Sequence, residues 1–323
     1  MTAPEIRLGL LGCADVAARR VLPAVATTPG IRLHAVASRT AVKAEEMTGR
    51  FGGVPVTGYQ ALLDRDDVDA VYLPLPSGLH AEWISRALLA GKHVLAEKPL
   101  TTSAADTKDV VALAQRHDLV LMENFMFPRH SQHDAVRALL ADGVIGELRA
   151  FTAAFTIPAR PRDDIRHRAE LGGGALLDVG GYPVRAAQLF LGPGLRVLGA
   201  SLRHDAELGV DTGGAALLVD GAGVTAQLTF GLAHAYTSRY AFLGSSGQLT
   251  LDHVFTPPAT HRPVVRLDRQ DHREERTLPA DDQYAGSVRA FADAVAGRGD
   301  RGVGAMLRQA ELVDEIRLCA AQA

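Results

Sequence analysis

The chain has 323 residues, 47% hydrophobic and 22% charged, which excludes a fibre, a coiled coil and a disordered tail and leaves room for two domains of ordinary size. Lysine and arginine total 34 against 37 acidic residues, a formal charge of -3, and no block of five like charges occurs, so a small polar ligand is expected rather than nucleic acid or an anionic membrane. Cys13 and Cys319 stand at opposite ends of the chain and are not expected to pair, and with neither a leader pattern nor an apolar run of roughly 20 residues the expectation is a cytoplasmic protein.

Residues 6–11 form an apolar run that reads as a buried strand, and 14–27 read as a helix with apolar positions at Val16, Ala17, Val21, Leu22 and Val25. Strands at 32–38, 54–57, 70–76, 93–100 and 119–125 then alternate with helices at 41–52, 59–67, 78–92 and 106–115. Nearly continuous apolar strands separated by helices require a parallel sheet covered on both faces. Near Phe127 the rhythm changes. A helix at 131–142 precedes a strand at 147–158, a Gly-rich helix start near 172, and strand-like runs at 195–204, 213–233, 236–252 and 263–270. Asp220-Gly221-Ala222-Gly223 and Gly244-Ser245-Ser246-Gly247 punctuate these runs as hairpin turns. Helices return at 283–297 and 304–319. The fold expected is an α/β Rossmann domain over residues 1–125 and an α+β domain with a largely antiparallel sheet over 126–323.

The turn after the first strand, Gly12-Cys13-Ala14-Asp15-Val16-Ala17, lies where a dinucleotide fold binds pyrophosphate, at a helix N-terminus whose unpaired N–H groups favour an anion. Ala14 replaces the second glycine of the G-x-G-x-x-G pattern and adds one methyl, a small intrusion if its φ is negative. At the end of the second strand, NAD-specific folds carry an acidic residue; here stand Ser38, Arg39 and Thr40. A guanidinium flanked by hydroxyls suits the 2′-phosphate of NADP, and the missing carboxylate removes a repulsion. The alternative for Arg39 is a solvated loop residue. Lys98 ends the fifth strand, on the side where open α/β sheets bind ligands; the alternative is an exposed strand-end lysine.

These motifs together, with Pro76-x-x-x-His80, Glu97-Lys98-Pro99, "GELRAF" at 146–151 and "GGGALLDVGGYPVRAAQLFLG" at 172–192, resemble the Gfo/Idh/MocA family of NAD(P)-dependent sugar oxidoreductases over essentially the whole chain. The resemblance implies a Rossmann domain followed by an open-faced sheet, with the lysine of E-K-P beside the nicotinamide. Where the family often has D-x-G-x-H, Asp178-Val179-Gly180-Gly181-Tyr182 ends in tyrosine. Together with the Ala14 substitution, this is similar to the branch of 3-ketoreductases that act on nucleotide-linked keto-deoxysugars in antibiotic deoxysugar pathways.

The resemblance implies NADPH-dependent reduction of the C3 carbonyl of a dTDP-linked 3-keto-6-deoxy sugar, with Lys98 and Tyr182 as catalytic and substrate-binding residues. Hydride addition builds charge on the carbonyl oxygen, so Lys98 is the first choice as proton donor or oxyanion stabiliser, and Tyr182 the second. Gly12, Cys13, Ala14, Asp15 and Val16 would line the pyrophosphate, Ser38 and Arg39 the 2′-phosphate, Tyr59 the adenosine end, and Leu75, His80, Glu97 and Lys98 the nicotinamide side. Asp178 would orient the nicotinamide ribose or the lysine, or else cap a helix. Arg166 would reach the cofactor or remain a solvated loop charge. Arg19 would meet the substrate diphosphate or lie on the helix surface. His130 and His133 lack a third ligand at metal spacing, so no metal is expected, and Trp83 reads as packing. An exposed sheet face predicts a homo-oligomer, dimer or tetramer. Two other readings remain: an oxidising sugar or diol dehydrogenase of the same fold, and a non-catalytic NADP-binding regulator.

Overall fold

The computed structural model describes residues 5–322. They form two compact units: the chain up to Met126 with Tyr284–Leu307, and Phe127–Gln283 with the chain from Arg308 onward. The helices are α1 (Leu22–Thr27), α2 (Ala41–Phe51), α3 (Tyr59–Leu63), α4 (His80–Leu89), α5 (Ala104–Arg116), α6 (Ser131–Ala141), α7 (Gly181–Leu191), α8 (Gln283–Val295) and α9 (Val303–Ala320).

In the first unit, β1 (Ile6–Leu11), β2 (Ile31–Ser38), β3 (Val54–Thr57), β4 (Ala70–Leu73), β5 (His93–Glu97) and β6 (Leu121–Asn124) form a parallel sheet in the order β3-β2-β1-β4-β5-β6. Alternate residues feed two apolar layers, as a doubly covered sheet requires. Leu8, Leu10, Tyr72, Leu95 and Met122 pack with Leu22 and Val25 of α1, while Val71, Leu73, Val94 and Ala96 pack with Ile84 and Leu88 of α4 and Val110 and Val111 of α5. The strand order reverses between β1 and β4. Loops leaving these two strands diverge there and open the crevice in which such sheets bind ligands.

The division of the chain departs from the expected break after residue 125, because the segment Tyr284–Leu307 returns to the first unit. Val288, Phe291, Ala292 and Ala294 of α8 are buried in the same cluster as Leu8, Leu10 and Tyr72, and Met306 of α9 joins the layer on the other face. An apolar stripe marks a helix as packed but does not say on which sheet.

In the second unit, β7 (Leu148–Ile157), β8 (Arg196–Asp205), β9 (Val210–Val219), β10 (Thr225–Leu232), β11 (Thr237–Gly244), β12 (Gln248–Asp252), β13 (Val264–Arg269) and β14 (His272–Thr277) form one sheet in the order β14-β13-β12-β11-β7-β10-β9-β8. Only the β7–β10 pairing is parallel. Phe151, Phe230, Tyr240 and Phe242 are buried on the face that α7 covers. On the other face Thr152, Leu217, Gln227, Thr229, Arg239 and Leu243 are exposed, so the sheet is open-faced within this unit. Both expected hairpin turns form. Asp220 Oδ1 accepts from the N–H groups of Ala222 and Val224 at 2.9 and 2.8 Å, and the Gly244 N–H donates to the Gly247 carbonyl at 2.8 Å. β14, "HREERT", has no apolar alternation to announce it. It is an edge strand paired only to β13, and its charges are the usual protection of an open edge.

Two helix starts are wider than the α-helical pattern predicts. Ala17–Val21 and Leu176–Gly180 each form a π-type turn before α1 and α7. Such turns recur at functional sites, and these two follow the glycine turn of β1 and carry Asp178 respectively.

Candidate active site

At the end of β1, Gly12 has φ +102° and donates its N–H to the Ala37 carbonyl at 2.9 Å. A Cβ there would lie 2.8 Å from Leu75 Cδ2, so both the conformation and the space demand glycine. Ala14 does not have a positive φ, so its methyl sits on ordinary backbone, and its carbonyl accepts from the N–H groups of Ala17 and Ala18. Cys13 is half-buried with its thiol directed to the Lys43 carbonyl at 3.3 Å; burial pushes its pKa up, the wrong direction for a reactive thiolate. Asp15 forms an exposed ion pair with Arg19 one helical turn on, and Val16 precedes the π-type turn half-buried.

Ser38 is buried at the end of β2, and its hydroxyl accepts from the Thr40 N–H at 3.3 Å, while Arg39 and Thr40 are exposed. Tyr59, the first residue of α3, presents its hydroxyl both to the Arg39 guanidinium and to the space beside Gly12. Burial raises the Tyr59 phenol pKa against the pull of Arg39. Trp83 of α4 braces the Tyr59 ring edge-on, 5.1 Å between centroids, and Arg86 lies over its own face at 4.9 Å. The ends of β1 and β2 thus bring Gly12, Ser38, Arg39 and Tyr59 together.

Lys98 follows β5 and is half-buried, and the Lys98–Pro99 bond is cis. Its neighbours are tied down by buried polar groups. His80, at the start of α4, has Nδ1 2.8 Å from the Pro99 carbonyl and Nε2 2.8 Å from the Leu75 carbonyl. Its burial lowers its pKa even though both carbonyls favour a proton. Glu97 Oε1 accepts from Tyr72 Oη at 2.7 Å and from Asn124 Nδ2 at 2.6 Å. His80 and Glu97, expected on the nicotinamide side, therefore stand at those strand ends as buried braces, with Leu75 between the His80 ring and Gly12.

In the second unit, Arg166 and Asp178 meet although 12 residues apart: Arg166 Nε donates to Asp178 Oδ2 at 2.6 Å, and Arg166 Nη1 to Asp164 Oδ1 at 3.1 Å. Arg166 is thus not a solvated charge; two carboxylates orient its fork. Gly173 allows this, since a Cβ there would strike the Arg166 carbonyl at 2.6 Å. Asp178 is therefore an ion-pair partner rather than a helix cap. The cap at this turn is Asp211 of β9, whose Oδ2 accepts from the Leu176 N–H at 2.7 Å while burial raises its pKa. Tyr182, in the first turn of α7, is 4% exposed, its ring packed against Phe155, Phe255 and Phe127 at centroid distances of 4.8, 5.5 and 5.9 Å. Gly180 lets the chain lie against the Phe230 ring, which a Cβ would meet at 3.0 Å.

Sequence reasoning passed over Tyr72, Asn124, Ser287 and Asp211. None of them stands out in its own segment, and only the folded pairing shows what each holds.

Among the described residues no group of three or more His, Cys, Asp or Glu could hold a metal, and no helix is long and apolar enough to cross a membrane. His130 caps α6 by accepting from the Gln132 N–H at 3.1 Å, and the His133 ring packs among Phe127, Phe190 and Tyr240, with Nδ1 2.9 Å from Tyr240 Oη. Burial, reinforced by His130, pushes the His133 pKa down to about 3. Below pH 6.5 the unfolded imidazole binds a proton that the folded one refuses, so stability falls as the pH drops from 6.5 toward 3, by about 2 kcal/mol at pH 5 from this group. Urea unfolding of His133→Gln is accordingly expected to lose less stability between pH 7 and pH 5 than the wild type. An equal loss in both would contradict this account of His133.

Two family models match consecutive parts of the chain: the oxidoreductase family with NAD-binding Rossmann fold over residues 6–125, and the GFO/IDH/MocA C-terminal domain over 133–250. The dTDP-3,4-didehydro-2,6-dideoxy-alpha-D-glucose 3-reductase of Actinomadura kijaniata is 58% identical over 317 residues, 98% of this chain and 96% of that protein. The enzyme of the same name from Streptomyces violaceoruber is 57% identical over 330 residues, 99% and 96% of the two chains. The crystal structure of KijD10, a 3-ketoreductase from Actinomadura kijaniata in complex with NADP and TDP-benzene, superposes with a TM-score of 0.96 at 57% identity, covering 98% of each chain.

Proposed function

The chain belongs to the GFO/IDH/MocA family of oxidoreductases, and we propose that it reduces the C3 keto group of a dTDP-linked 3-keto-6-deoxy sugar with NADPH. The finer assignment of the substrate is dTDP-3,4-didehydro-2,6-dideoxy-D-glucose. The near full-length match to the 3-reductases named for that sugar carries this reading. The glycine turn and the basic end of β2 fit the cofactor: Gly12 makes the tight positive-φ turn that leads into the helix start where pyrophosphate would approach, and Ser38, Arg39 and Thr40 offer donors with no carboxylate to repel a 2′-phosphate.

Bound NADPH supplies the hydride that C3 receives. The charge that gathers on the carbonyl oxygen needs a positive or acidic donor at the same moment. We assign that donor to Lys98 Nζ and keep Tyr182 Oη as the second acid; together they leave a hydroxyl at C3, and the deprotonated acid is restored from water. Gly12, Cys13, Ala14, Asp15 and Val16 take the pyrophosphate, Ser38 and Arg39 the 2′-phosphate, and Tyr59 the adenosine end. Leu75, His80 and Glu97 shape the nicotinamide side. Arg166, oriented by Asp178, reaches the cofactor, and Arg19 takes the substrate diphosphate in exchange for Asp15. The enzyme works in the cytoplasm as a homo-oligomer, dimer or tetramer, with the open sheet face as the contact surface.

The test follows a label. With NADPH deuterated at C4 on the transferred face, the product carries deuterium at C3 of the sugar. Deuterium at C4, or none, overturns the C3 assignment.

A further inference from the structure

Behind Lys98 the first unit holds a continuous buried hydrogen-bond chain that starts on the returning segment. Ser287 Oγ, on α8, donates to Asn124 Oδ1 at 2.6 Å; Asn124 Nδ2 donates to Glu97 Oε1 at 2.6 Å; Tyr72 Oη donates to the same oxygen at 2.7 Å. Ser287 and Asn124 are each 1% exposed, Tyr72 is fully buried and Glu97 is 7% exposed. The chain crosses the ends of β4, β5 and β6 and joins them to α8. The two residues that follow Lys98 are anchored as well. Pro99 is held through its carbonyl by His80, and the Leu100 N–H donates to Glu123 Oε1 at 2.9 Å.

This network has a direction. An amide can present either its oxygen or its nitrogen to Glu97, and the two are equally large. Glu97, which only accepts, fixes the choice by drawing Nδ2 toward the carboxylate, and the Ser287 hydroxyl, donating to Oδ1, holds the other side of the amide. Without that hydroxyl the buried Asn124 Oδ1 loses the donor that holds the amide on the side of α8. Burial raises the Tyr72 phenol pKa well above its ordinary value, so its hydroxyl stays a donor through the working range of pH. Buried networks of this kind cost stability unless fully satisfied. This one is informative because it converges on Glu97, the chain neighbour of Lys98.

We propose that Ser287, Asn124 and Tyr72 are positioning residues for the reduction: through Glu97 they fix the end of β5 and so the point from which Lys98 acts. The inference rests on the assignment of Lys98 made above. It also gives α8 a role in its return to the first unit, since it brings Ser287 to Asn124, beside the end of β5 that Lys98 follows.

The test uses the full chain, NADPH and dTDP-3,4-didehydro-2,6-dideoxy-D-glucose. Ser287→Ala is expected to lower kcat about tenfold with KM for NADPH unchanged within about twofold, and Ser287→Thr, which keeps the hydroxyl, to restore most of it. Asn124→Asp sets a carboxylate against Glu97. Two carboxylates at that distance share a proton only at lower pH, so this variant regains activity relative to the wild type as the pH is lowered from 8 to 6.

A second readout does not use turnover: competitive acetylation followed by mass spectrometry measures the reactivity of Lys98 against Lys43 and Lys108, and Ser287→Ala is expected to shift Lys98 alone. Wild-type kcat, pH profile and Lys98 labelling in both Ser287→Ala and Asn124→Asp overturn the proposal. A wild type inactive on the keto-sugar overturns the functional reading instead, while the labelling still decides whether the network governs Lys98.

Discussion

Lys98→Met is expected to lower kcat about 10²- to 10⁴-fold on the dTDP-keto-sugar while NADPH still binds. The methionine keeps the length and apolar stem of lysine and removes only the ammonium, so the half-buried site at the end of β5 is preserved. His80, Glu97 and Glu123 anchor the neighbouring backbone without using the Lys98 side chain. What is lost is the positive donor that meets charge developing on the carbonyl oxygen, and a loss of about 10³ corresponds to roughly 4 kcal/mol of transition-state stabilisation. Steady-state kinetics beside fluorescence titration with NADPH separates the two effects. Near wild-type turnover with intact binding would remove Lys98 from the chemistry.

Arg39→Ala is expected to reduce the preference for NADPH over NADH by about 10- to 100-fold, almost entirely through KM for NADPH. Charge-assisted hydrogen bonds of a guanidinium to a phosphate are worth roughly 1.5–3 kcal/mol, and β2 ends with no carboxylate that would take over the ribose hydroxyls of NADH. Arg39 is exposed beside Tyr59 and carries none of the buried core, so the variant is expected to keep its fold. An unchanged ratio of kcat/KM for the two cofactors would show that the 2′-phosphate is read elsewhere.

Much of the first unit was legible because its signals are local. Apolar strands such as "AVYL" and the glycine turn at Gly12 declare themselves within a few residues, and both appear as expected. The resemblance to the family brought Lys98, Asp178 and Tyr182 to attention, but a motif could not show that Asp178 holds Arg166, because that ion pair depends on how the Gly172–Gly174 turn doubles back. The polar braces were hidden for the same reason. Ser287 and Asn124 are 163 residues apart and unremarkable in their own segments. β14 was missed because its charges answer to an open edge rather than to a core. The return of Tyr284–Leu307 to the first unit was missed because a helical stripe carries no address.

The most direct measurement is the rate of NADPH oxidation by the purified chain on dTDP-3,4-didehydro-2,6-dideoxy-D-glucose, set beside NADP reduction with simple sugars and cyclic diols. The account predicts rapid oxidation of NADPH with the nucleotide-linked keto-sugar and negligible reduction of NADP with the others. Turnover with free sugars or diols, and none with the nucleotide-linked sugar, would contradict it.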